Sequence, residues 1–402
     1  MASTPADMPR ILPRTWDEAR ALAHALPAAL PAHPVPLADA IGRTLAADLL
    51  AGHPLPHYAS SAMDGWAVAG SPPWIFAEPG RRLAAGQAVP IVTGGLMPAG
   101  AKAVLRSESG QVKIDDDGLP VLVLGPDSRP GEPKNGQHIR PVAQEAAEGE
   151  VLIKSGTMLN PAHIALAALG GADELRVLGK PLVKIVLTGD EVVSSGIPAA
   201  GQVRDAFSPQ LPFVVNLLGG SVVGLERAGD NIEAMLAALE DSPELPADVV
   251  ITTGATGNST ADFLRRAIHA MGGTFHINSI AMRPGHPTLL AELPDGRFLV
   301  GLPGNPLAAM VALLSVAAPL LAKLGSAPMP GTFDVPCGTP IKEFHGPTRL
   351  MPYRLVYGLA SPCAHTDSAM MRGLAGADGI MVVPPHGVKM GETLTAFALP
   401  WK

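Results

Sequence analysis

The sequence predicts a multi-domain protein of the α/β plus β class, centred on a doubly wound α/β domain at about 180–325. Three short apolar runs with strand character each end in a turn that contains glycine, and the third leads directly into a long apolar helix. The runs are Leu182–Leu187, Val249–Ile251 and Leu299–Leu302. Because ligands of a doubly wound sheet bind beyond the carboxyl ends of its strands, we expect the three turns to line one pocket.

Segments with other patterns flank this domain. Helical spacing of apolar residues predicts a helix at 14–30, with Thr15 or Asp17 as its cap. From about 46 to 139, short β-like pieces between Gly and Pro predict a small β domain, and the pieces include Ile91–Thr93, Ala103–Leu105 and Val121–Leu124. A second helix is predicted around Pro161–Gly170, and strands and turns are predicted over about 327–402.

Composition limits the classes of function. A net charge of −7 and the lack of a basic run argue against nucleic acid or an anionic membrane as the main partner. The two cysteines, Cys337 and Cys363, provide neither a disulfide framework nor a Cys-x-x-Cys site, which is typical of a reducing compartment. The apolar segment 307–324 contains Ser315 and Pro319, and it predicts a buried helix rather than a membrane span. With no apolar stretch of signal-peptide length near the N-terminus, we expect a cytoplasmic protein.

The segment 299–309 is the strongest candidate for a binding site. Backbone N–H groups in its turn and at the start of its helix are expected to lack partners, so that they and the helix dipole can hold a phosphate or an oxyanion. A tight connection between strand and helix, without a ligand, is the alternative interpretation.

Several carboxylates could serve such a site. Asp64, in the turn Ser61–Ala67, could face a pocket or only form the turn. Of Asp190 and Glu191, one could bind a divalent cation while the other caps the next segment; the alternative is an Asx-turn with a solvated Glu. Spacing favours simple helix capping by Asp230 with Glu233. Asp262 lies three residues after Ser259, which is also the spacing of the N3 acid of a capped helix.

Nucleophilic catalysis has little support in the sequence. It contains no Gly-x-Ser-x-Gly elbow, no paired-His metalloprotease helix and no Walker lysine loop. His53 and His57 are four residues apart, but Pro54 and Pro56 exclude the helix that would place them on one face. The remaining chemistry is that of an acidic, glycine-lined site for a metal-bridged phosphate or an oxyanion.

Taken in order, five segments resemble the molybdopterin molybdenumtransferase family, which includes MoeA and the gephyrin E domain. They are Ser61–Ala67, Ile91–Ala101, Leu187–Glu191, Met282–Pro287 and Gly301–Pro306. The resemblance implies four domains: an N-terminal helical and extended domain from 1–45 and 140–178, an inserted β domain at 46–139, an α/β molybdopterin-binding domain at 179–326, and a C-terminal β domain at 327–402.

The resemblance also implies an activity and its partners. The activity is the Mg²⁺-assisted insertion of molybdate into adenylylated molybdopterin, with release of AMP, in the cytoplasm. The implied assembly is a homodimer whose cleft joins the β domain of one subunit to the α/β domain of the other. A molybdopterin adenylyltransferase is an implied partner protein.

Residue roles follow from the same resemblance. The implied catalytic residues are Asp64, Thr93, Glu191, Asp230 and Asp262, of which Asp64, Glu191 and Asp230 would hold Mg²⁺. The implied pterin-binding residues are Thr188, Gly189, Asp190, Thr253, Gly254, Arg283, Pro284, His286, Pro303, Gly304, Asn305 and Pro306.

Several positions depart from the family pattern. Thr260 and His138 stand where the family has aspartates, Arg283 and His286 stand where it has lysines, and Arg372 begins the pair Arg372–Gly373 where the family often has two serines. A less acidic site should bind Mg²⁺ more weakly and favour an anion. Two functions stay open: a working transferase with substituted ligands, or a non-catalytic paralogue that binds a pterin or nucleotide as a carrier or partner module. A small-molecule phosphotransferase is disfavoured, because the sequence lacks a phosphate-binding lysine loop.

Overall fold

A computed structural model describes residues 12–242, 244, 246–254 and 263–402. The chain divides into two compact units. One unit is His33–Val177, and the other joins the segment up to Ala32 with Leu178–Lys402.

The first helix, α1, spans Trp16–Ala25 and begins with a capping box. The Thr15 side chain accepts a hydrogen bond from the Glu18 N–H, and the Glu18 side chain accepts one from the Thr15 N–H. Thr15 is therefore the cap, and Asp17 lies in the first turn. The helix is shorter than the predicted 14–30 because Pro27 has no N–H to donate to the next helical hydrogen bond, and Leu26 is the C-cap.

The unit His33–Val177 is built on a six-stranded sheet with the order β7-β4-β6-β5-β9-β8. Its strands are β1 His33–Pro36, β2 Leu49–Leu50, β3 Ser60–Ser61, β4 Gly65–Ala69, β5 Trp74–Phe76, β6 Gln87–Ile91, β7 Ala103–Arg106, β8 Gly110–Ile114, β9 Pro120–Leu124, β10 Ile139–Arg140, β11 Val151–Ile153 and β12 Glu174–Val177, and its helix is α2 Pro161–Leu169. The predicted strand Ile91–Thr93 is wrong beyond Ile91, because Val92 and Thr93 lie in the loop that follows β6.

Three two-stranded antiparallel ladders pair the first strands of this unit with its last strands. They pair β1 with β12, β2 with β11, and β3 with β10. The six-stranded sheet lies between β3 and β10 in the sequence. The returning ladders therefore bring residues near 138–140 back to those near 60–62, which is important for the site.

The second unit contains a mixed six-stranded sheet with the order β16-β13-β17-β21-β20-β18. Its strands are β13 Leu182–Leu187, β16 Ser221–Arg227, β17 Val249–Thr253, β18 Thr274–Ile277, β20 Leu289–Glu292 and β21 Phe298–Leu302, and a short pair, β14 Val192–Val193 and β15 Val203–Arg204, stands apart. The first four strands in that order are parallel, as predicted, and the antiparallel edge formed by β20 and β18 was not predicted.

Helices cover both faces of this sheet, which confirms the doubly wound prediction. On one face, Ile185 packs with α1, α3 Leu211–Leu217 and the helical segment Pro306–Leu324; on the other, Val186 packs with α4 Ile232–Leu239 and α5 Phe263–Ala270. Adjacent residues of β13 thus enter different cores. A strand buried on both faces is expected to be continuously apolar, as this one largely is.

The helical segment Pro306–Leu324 comprises α6 Pro306–Ala312, a π-helical turn at Leu313–Ala317, and α7 Ala318–Leu324. Within the described chain, it is the segment long and apolar enough to cross a membrane, but 94% of its most apolar window is buried inside the protein. The prediction of a buried helix is confirmed. The π turn ends two residues before Pro319, which has no N–H to donate. The Ser315 hydroxyl accepts a hydrogen bond from the Trp16 indole at 2.9 Å.

The C-terminal sheet has the order β19-β23-β25-β26-β22, with β24 paired to β23. Its strands are β19 Met282–Arg283, β22 Phe333–Pro336, β23 Thr348–Val356, β24 Leu359–Pro362, β25 Gly379–Val383 and β26 Thr393–Ala398, and α8 spans Arg372–Ala375. Strand β19 lies between β18 and β20 in the sequence but joins this second sheet. The residues that follow it are therefore held between two sheets.

Candidate functional site

The turns after β13 and β17 are in direct contact. The Thr188 hydroxyl donates a hydrogen bond to the Thr253 carbonyl at 2.5 Å. Gly254 has φ +73°, and a Cβ on it would lie 2.5 Å from Thr188 Oγ1. Both the backbone conformation and the close approach require glycine at this position. Four predicted residues, Thr188, Gly189, Thr253 and Gly254, thus belong to one cluster of strand-end turns.

The third turn joins the same cluster. The Gly254 N–H donates to the Leu302 carbonyl at 3.0 Å. A Cβ on Gly304 would lie 3.6 Å from the Gly254 Cα. The turn Pro303–Asn305 therefore lies beside the turn after β17. The three turns lie together as expected, and the pocket that they would line stays a prediction.

Asp230 has a different role from the one that its spacing favoured. Its two carboxylate oxygens accept hydrogen bonds from the Gly189 and Asp190 N–H groups, each at 3.1 Å. Helix α4 is capped by Asn231, whose side chain accepts from the Ala234 N–H. The capping interpretation of Asp230 is therefore wrong. Asp230 instead holds the turn that carries Asp190 and Glu191, whose side chains are exposed.

The start of α6 is partly occupied by a loop from the C-terminal part of the chain. The Ala308 N–H donates to the Ser368 carbonyl at 3.1 Å, and the Asn305 amide donates to the Ser368 hydroxyl at 3.0 Å. The expectation that N–H groups at this helix start lack partners is wrong for Ala308, and Pro306 has none to offer. Among the described residues, the Gly304 and Leu307 N–H groups still have no partner. Nothing in the sequence had marked Ser368, because its contact spans more than 60 residues.

The loop after β19 reaches the same helix. A Cβ on Gly285 would lie 3.6 Å from the Ala308 carbonyl oxygen, and Gly285 has φ +108°. His286 donates a hydrogen bond from Nδ1 to the Ile280 carbonyl at 2.8 Å. Arg283 and His286 are exposed and Pro284 is half-buried. Two groups able to carry positive charge thus project from a loop packed against the candidate anion site.

In the unit His33–Val177, three segments far apart in sequence meet around Ser61. The Gly94 N–H donates to the Ser61 carbonyl at 2.8 Å, and the Ala62 N–H donates to the His138 carbonyl at 2.8 Å. Asp64 accepts a hydrogen bond from the Thr93 N–H at 2.6 Å, and this bond lowers the pKa of the Asp64 carboxyl. Asp64 therefore forms a turn contact and also keeps an exposed, ionised carboxylate. The contact agrees with the turn-forming interpretation, and a place for Asp64 at a pocket stays a prediction.

A buried carboxylate lies next to His138. Glu132 accepts hydrogen bonds from Arg106 Nε and from the Ser109 hydroxyl, both at 3.1 Å. Burial raises its pKa, but these bonds and one from the Arg129 N–H outweigh burial and lower the pKa to about 2. His138 Nε2 lies 3.8 Å from Glu132 Oε1. His138 stands where the resemblance implies an aspartate, and the Glu132 carboxylate, itself paired with Arg106, lies beside it. The sequence had not indicated this contact.

The donor set suits a phosphate-bound cation better than a resident one. In the residues that the structure describes, no group of three or more His, Cys, Asp or Glu side chains could hold a metal ion. Magnesium is usually held by one or two carboxylates together with waters and substrate phosphates. The exposed carboxylates of Glu191 and Asp64 each fit that pattern. Asp230 has both oxygens engaged with backbone N–H groups.

The remaining candidates are placed as follows. Arg372 is exposed at the start of α8. Asp262 and Thr260 lie outside the described residues.

Three family models match the chain and together span most of it. The model described as the MoeA N-terminal region (domain I and II) matches residues 14–171, and a probable molybdopterin binding domain matches 184–323. The MoeA C-terminal region (domain IV) matches 334–398.

Individual relatives agree with these matches. The molybdopterin molybdenumtransferase of Haemophilus influenzae is 30% identical over 324 residues, which cover 77% of each chain. Molybdopterin molybdenumtransferase 2 of Mycobacterium tuberculosis is 28% identical over 389 residues, 89% of this chain and 92% of the relative. A crystal structure of a molybdopterin biosynthesis MoeA protein from Pyrococcus horikosii, 24% identical, has the same fold, with a TM-score of 0.74 over 96% of this chain and 99% of that one. The chain therefore belongs to the MoeA family of molybdopterin molybdenumtransferases.

Proposed function

We propose that this protein acts in molybdenum cofactor biosynthesis and inserts molybdate into adenylylated molybdopterin with release of AMP. The observation that carries the proposal is the cluster of strand-end turns, in which Gly254 approaches both Thr188 and Gly304. Relatives that carry the name molybdopterin molybdenumtransferase support the same assignment.

The residues of the α/β unit would bind the phosphate end of the substrate. The N–H groups of Gly304 and Leu307, at the start of the helical segment, would donate to phosphate oxygens. Arg283 and His286 would supply positive charge from the adjacent loop. Asp230 would act through its two backbone contacts, which fix the orientation of the turn bearing Glu191.

Carboxylates would bind the metal that accompanies the substrate. Glu191 and Asp64 would each offer one carboxylate to phosphate-bound Mg²⁺, whereas Asp230 would serve chiefly to position its neighbours. When bound, Mg²⁺ supplies charge neutralisation for the phosphoanhydride oxygens. Thr93, whose N–H is bonded to Asp64, would keep that carboxylate in one orientation.

The proposal includes an assembly and a compartment. The protein would be a cytoplasmic homodimer that receives adenylylated molybdopterin from a molybdopterin adenylyltransferase, with the four domains bounded as stated above.

Release of AMP from adenylylated molybdopterin, with molybdate and Mg²⁺, tests the activity. Asp64→Asn keeps an acceptor for the Thr93 N–H but removes the charge, so it should lower the rate about a hundredfold if the carboxylate holds the metal. Asp116→Asn is the matched control, because Asp116 is an exposed turn residue of the same unit. Equal rates for Asp64→Asn and wild type would remove Asp64 from the chemistry. Tight pterin binding by wild type without AMP release would favour the carrier function.

A further inference from the structure

Arg265 is a buried arginine on α5, with 7% of its surface exposed. Its guanidinium donates to the Asn278 side-chain oxygen and, through Nη2, to the Asn278 carbonyl at 2.7 Å. The same nitrogen contacts the Pro287 carbonyl at 3.5 Å, and the guanidinium lies 6.0 Å from the Phe275 ring. One cation thus contacts two positions that are nine residues apart in the sequence.

Those two positions are the ends of the loop that carries Arg283 and His286. Inside the loop the backbone closes on itself, since the Ile280 N–H donates to the His286 carbonyl at 2.9 Å. The His286 ring donates to the Ile280 carbonyl at 2.8 Å. Arg265 therefore holds the base of a closed loop whose tip packs near the Ala308 carbonyl.

Loop closure fixes the chemistry of His286. A carbonyl oxygen can only accept a hydrogen bond, so the ring must carry a proton on Nδ1. Nε2 is then the nitrogen left for a ligand, and it donates to a phosphate oxygen when the ring is protonated. If the loop opened at its base, the bond to Ile280 would weaken and the ring would no longer be held in one tautomer.

The contacts of Arg265 require a guanidinium. Its planar guanidinium donates from two nitrogens to the Asn278 side chain, the Asn278 carbonyl and the Pro287 carbonyl. A lysine ammonium donates from one nitrogen only and cannot span these acceptors in the same way. A lysine at this position would keep the charge but lose the simultaneous contacts. The single substitution Arg265→Lys can therefore distinguish an effect of the positive charge of Arg265 from an effect of its hold on the loop.

We propose that Arg265 is a positioning residue of the site: by holding Asn278 and Pro287 it sets Arg283 and His286 to bind the phosphoanhydride part of the substrate. This inference rests on the proposed function. Arg265 itself need not touch the substrate.

The test compares Arg265→Lys with Arg266→Lys in the full-length protein. Arg266 is the next residue of the same helix and is exposed, so its substitution controls for the loss of an arginine from α5. Four quantities are measured: the KM and the kcat for AMP release, the Kd for inorganic pyrophosphate, and the tautomer of His286 from ¹⁵N-histidine NMR, assigned with His286→Gln. The NMR spectra are taken under alkaline conditions that keep histidine side chains neutral.

Arg265→Lys should raise KM and the pyrophosphate Kd about tenfold, change kcat less than about threefold, and shift His286 from one tautomer to a mixture. Arg266→Lys should leave all four quantities unchanged. A folded Arg265→Lys with the wild-type KM, Kd and tautomer overturns the proposal, as does a change in thermal stability alone.

If Arg265→Lys does not fold, Asn278→Ala carries the test, because it removes one acceptor and leaves both carbonyls. It should weaken pyrophosphate binding about threefold, and an unchanged Kd would overturn the proposal. Absence of AMP release by the wild type would refute the proposed function, and pyrophosphate binding and the tautomer would still decide the role of Arg265.

Discussion

Gly254→Ala tests the close approach of the strand-end turns. A Cβ at this position would lie 2.5 Å from Thr188 Oγ1, and the backbone has φ +73°. The left-handed conformation costs an alanine about 1–2 kcal/mol. Displacement of Thr188, with loss of its bond to the Thr253 carbonyl, adds about 1 kcal/mol, so the substitution should destabilise this unit by roughly 2–3 kcal/mol.

Gly296→Ala is the matched control. Gly296 lies in the same unit with φ +89°, and a Cβ there meets nothing within 4 Å. It should cost only the conformational term, about 1–2 kcal/mol.

The unfolding free energy of this unit is read from hydrogen exchange of the β17 amides, followed by mass spectrometry. The double variant Thr188→Ala/Gly254→Ala should be less destabilised than the sum of the single variants, because the hydroxyl that meets the new Cβ is gone. Equal costs for Gly254→Ala and Gly296→Ala, together with additivity in the double variant, would refute the described contact.

Three further predictions concern charge, burial and metal. Because the pKa of Glu132 lies at about 2 rather than 4.5, its contribution to stability is present above about pH 4.5 and is lost as the pH falls towards 2. Between pH 5 and pH 3, thermal unfolding should therefore show that wild type loses more stability than Glu132→Gln. Equal losses would contradict the lowered pKa. Ser315→Ala removes the acceptor of the buried Trp16 N–H and should cost about 1–3 kcal/mol in a urea titration, whereas an unchanged midpoint would mean that the indole finds another partner. Titration calorimetry should detect only weak binding of Mg²⁺ alone, because the described residues form no metal group of three ligands. Pyrophosphate should strengthen Mg²⁺ binding at least tenfold. Tight binding of Mg²⁺ without pyrophosphate would contradict this prediction.

The sequence was sufficient to predict the elements that depend on local pattern. Continuous apolar runs identified β13, β17 and β21, because a strand covered on both faces has little polar content. The glycine that follows β17 was informative because its conformation and its contact with Thr188 both exclude a side chain. These signals lie within a few residues of the structure they produce.

Contacts between distant segments could not be predicted in the same way. Ser368 lies 63 residues from Asn305, and no sequence feature sets this half-buried serine apart from the other serines of the chain. Glu132 is recognisable only once Arg106 and Ser109 are placed beside it. Asp230 had the spacing of a helix cap, but Asn231 formed the cap because its side chain reaches the Ala234 N–H. Spacing in sequence cannot rank such competing partners.

Single-turnover AMP release tests the transferase assignment most directly. Purified wild-type protein loaded with adenylylated molybdopterin should release AMP in proportion to added molybdate, up to about one AMP per bound pterin, and only when Mg²⁺ is present. Retention of the intact adenylylated pterin after molybdate and Mg²⁺ are added would contradict the assignment and identify the protein as a carrier.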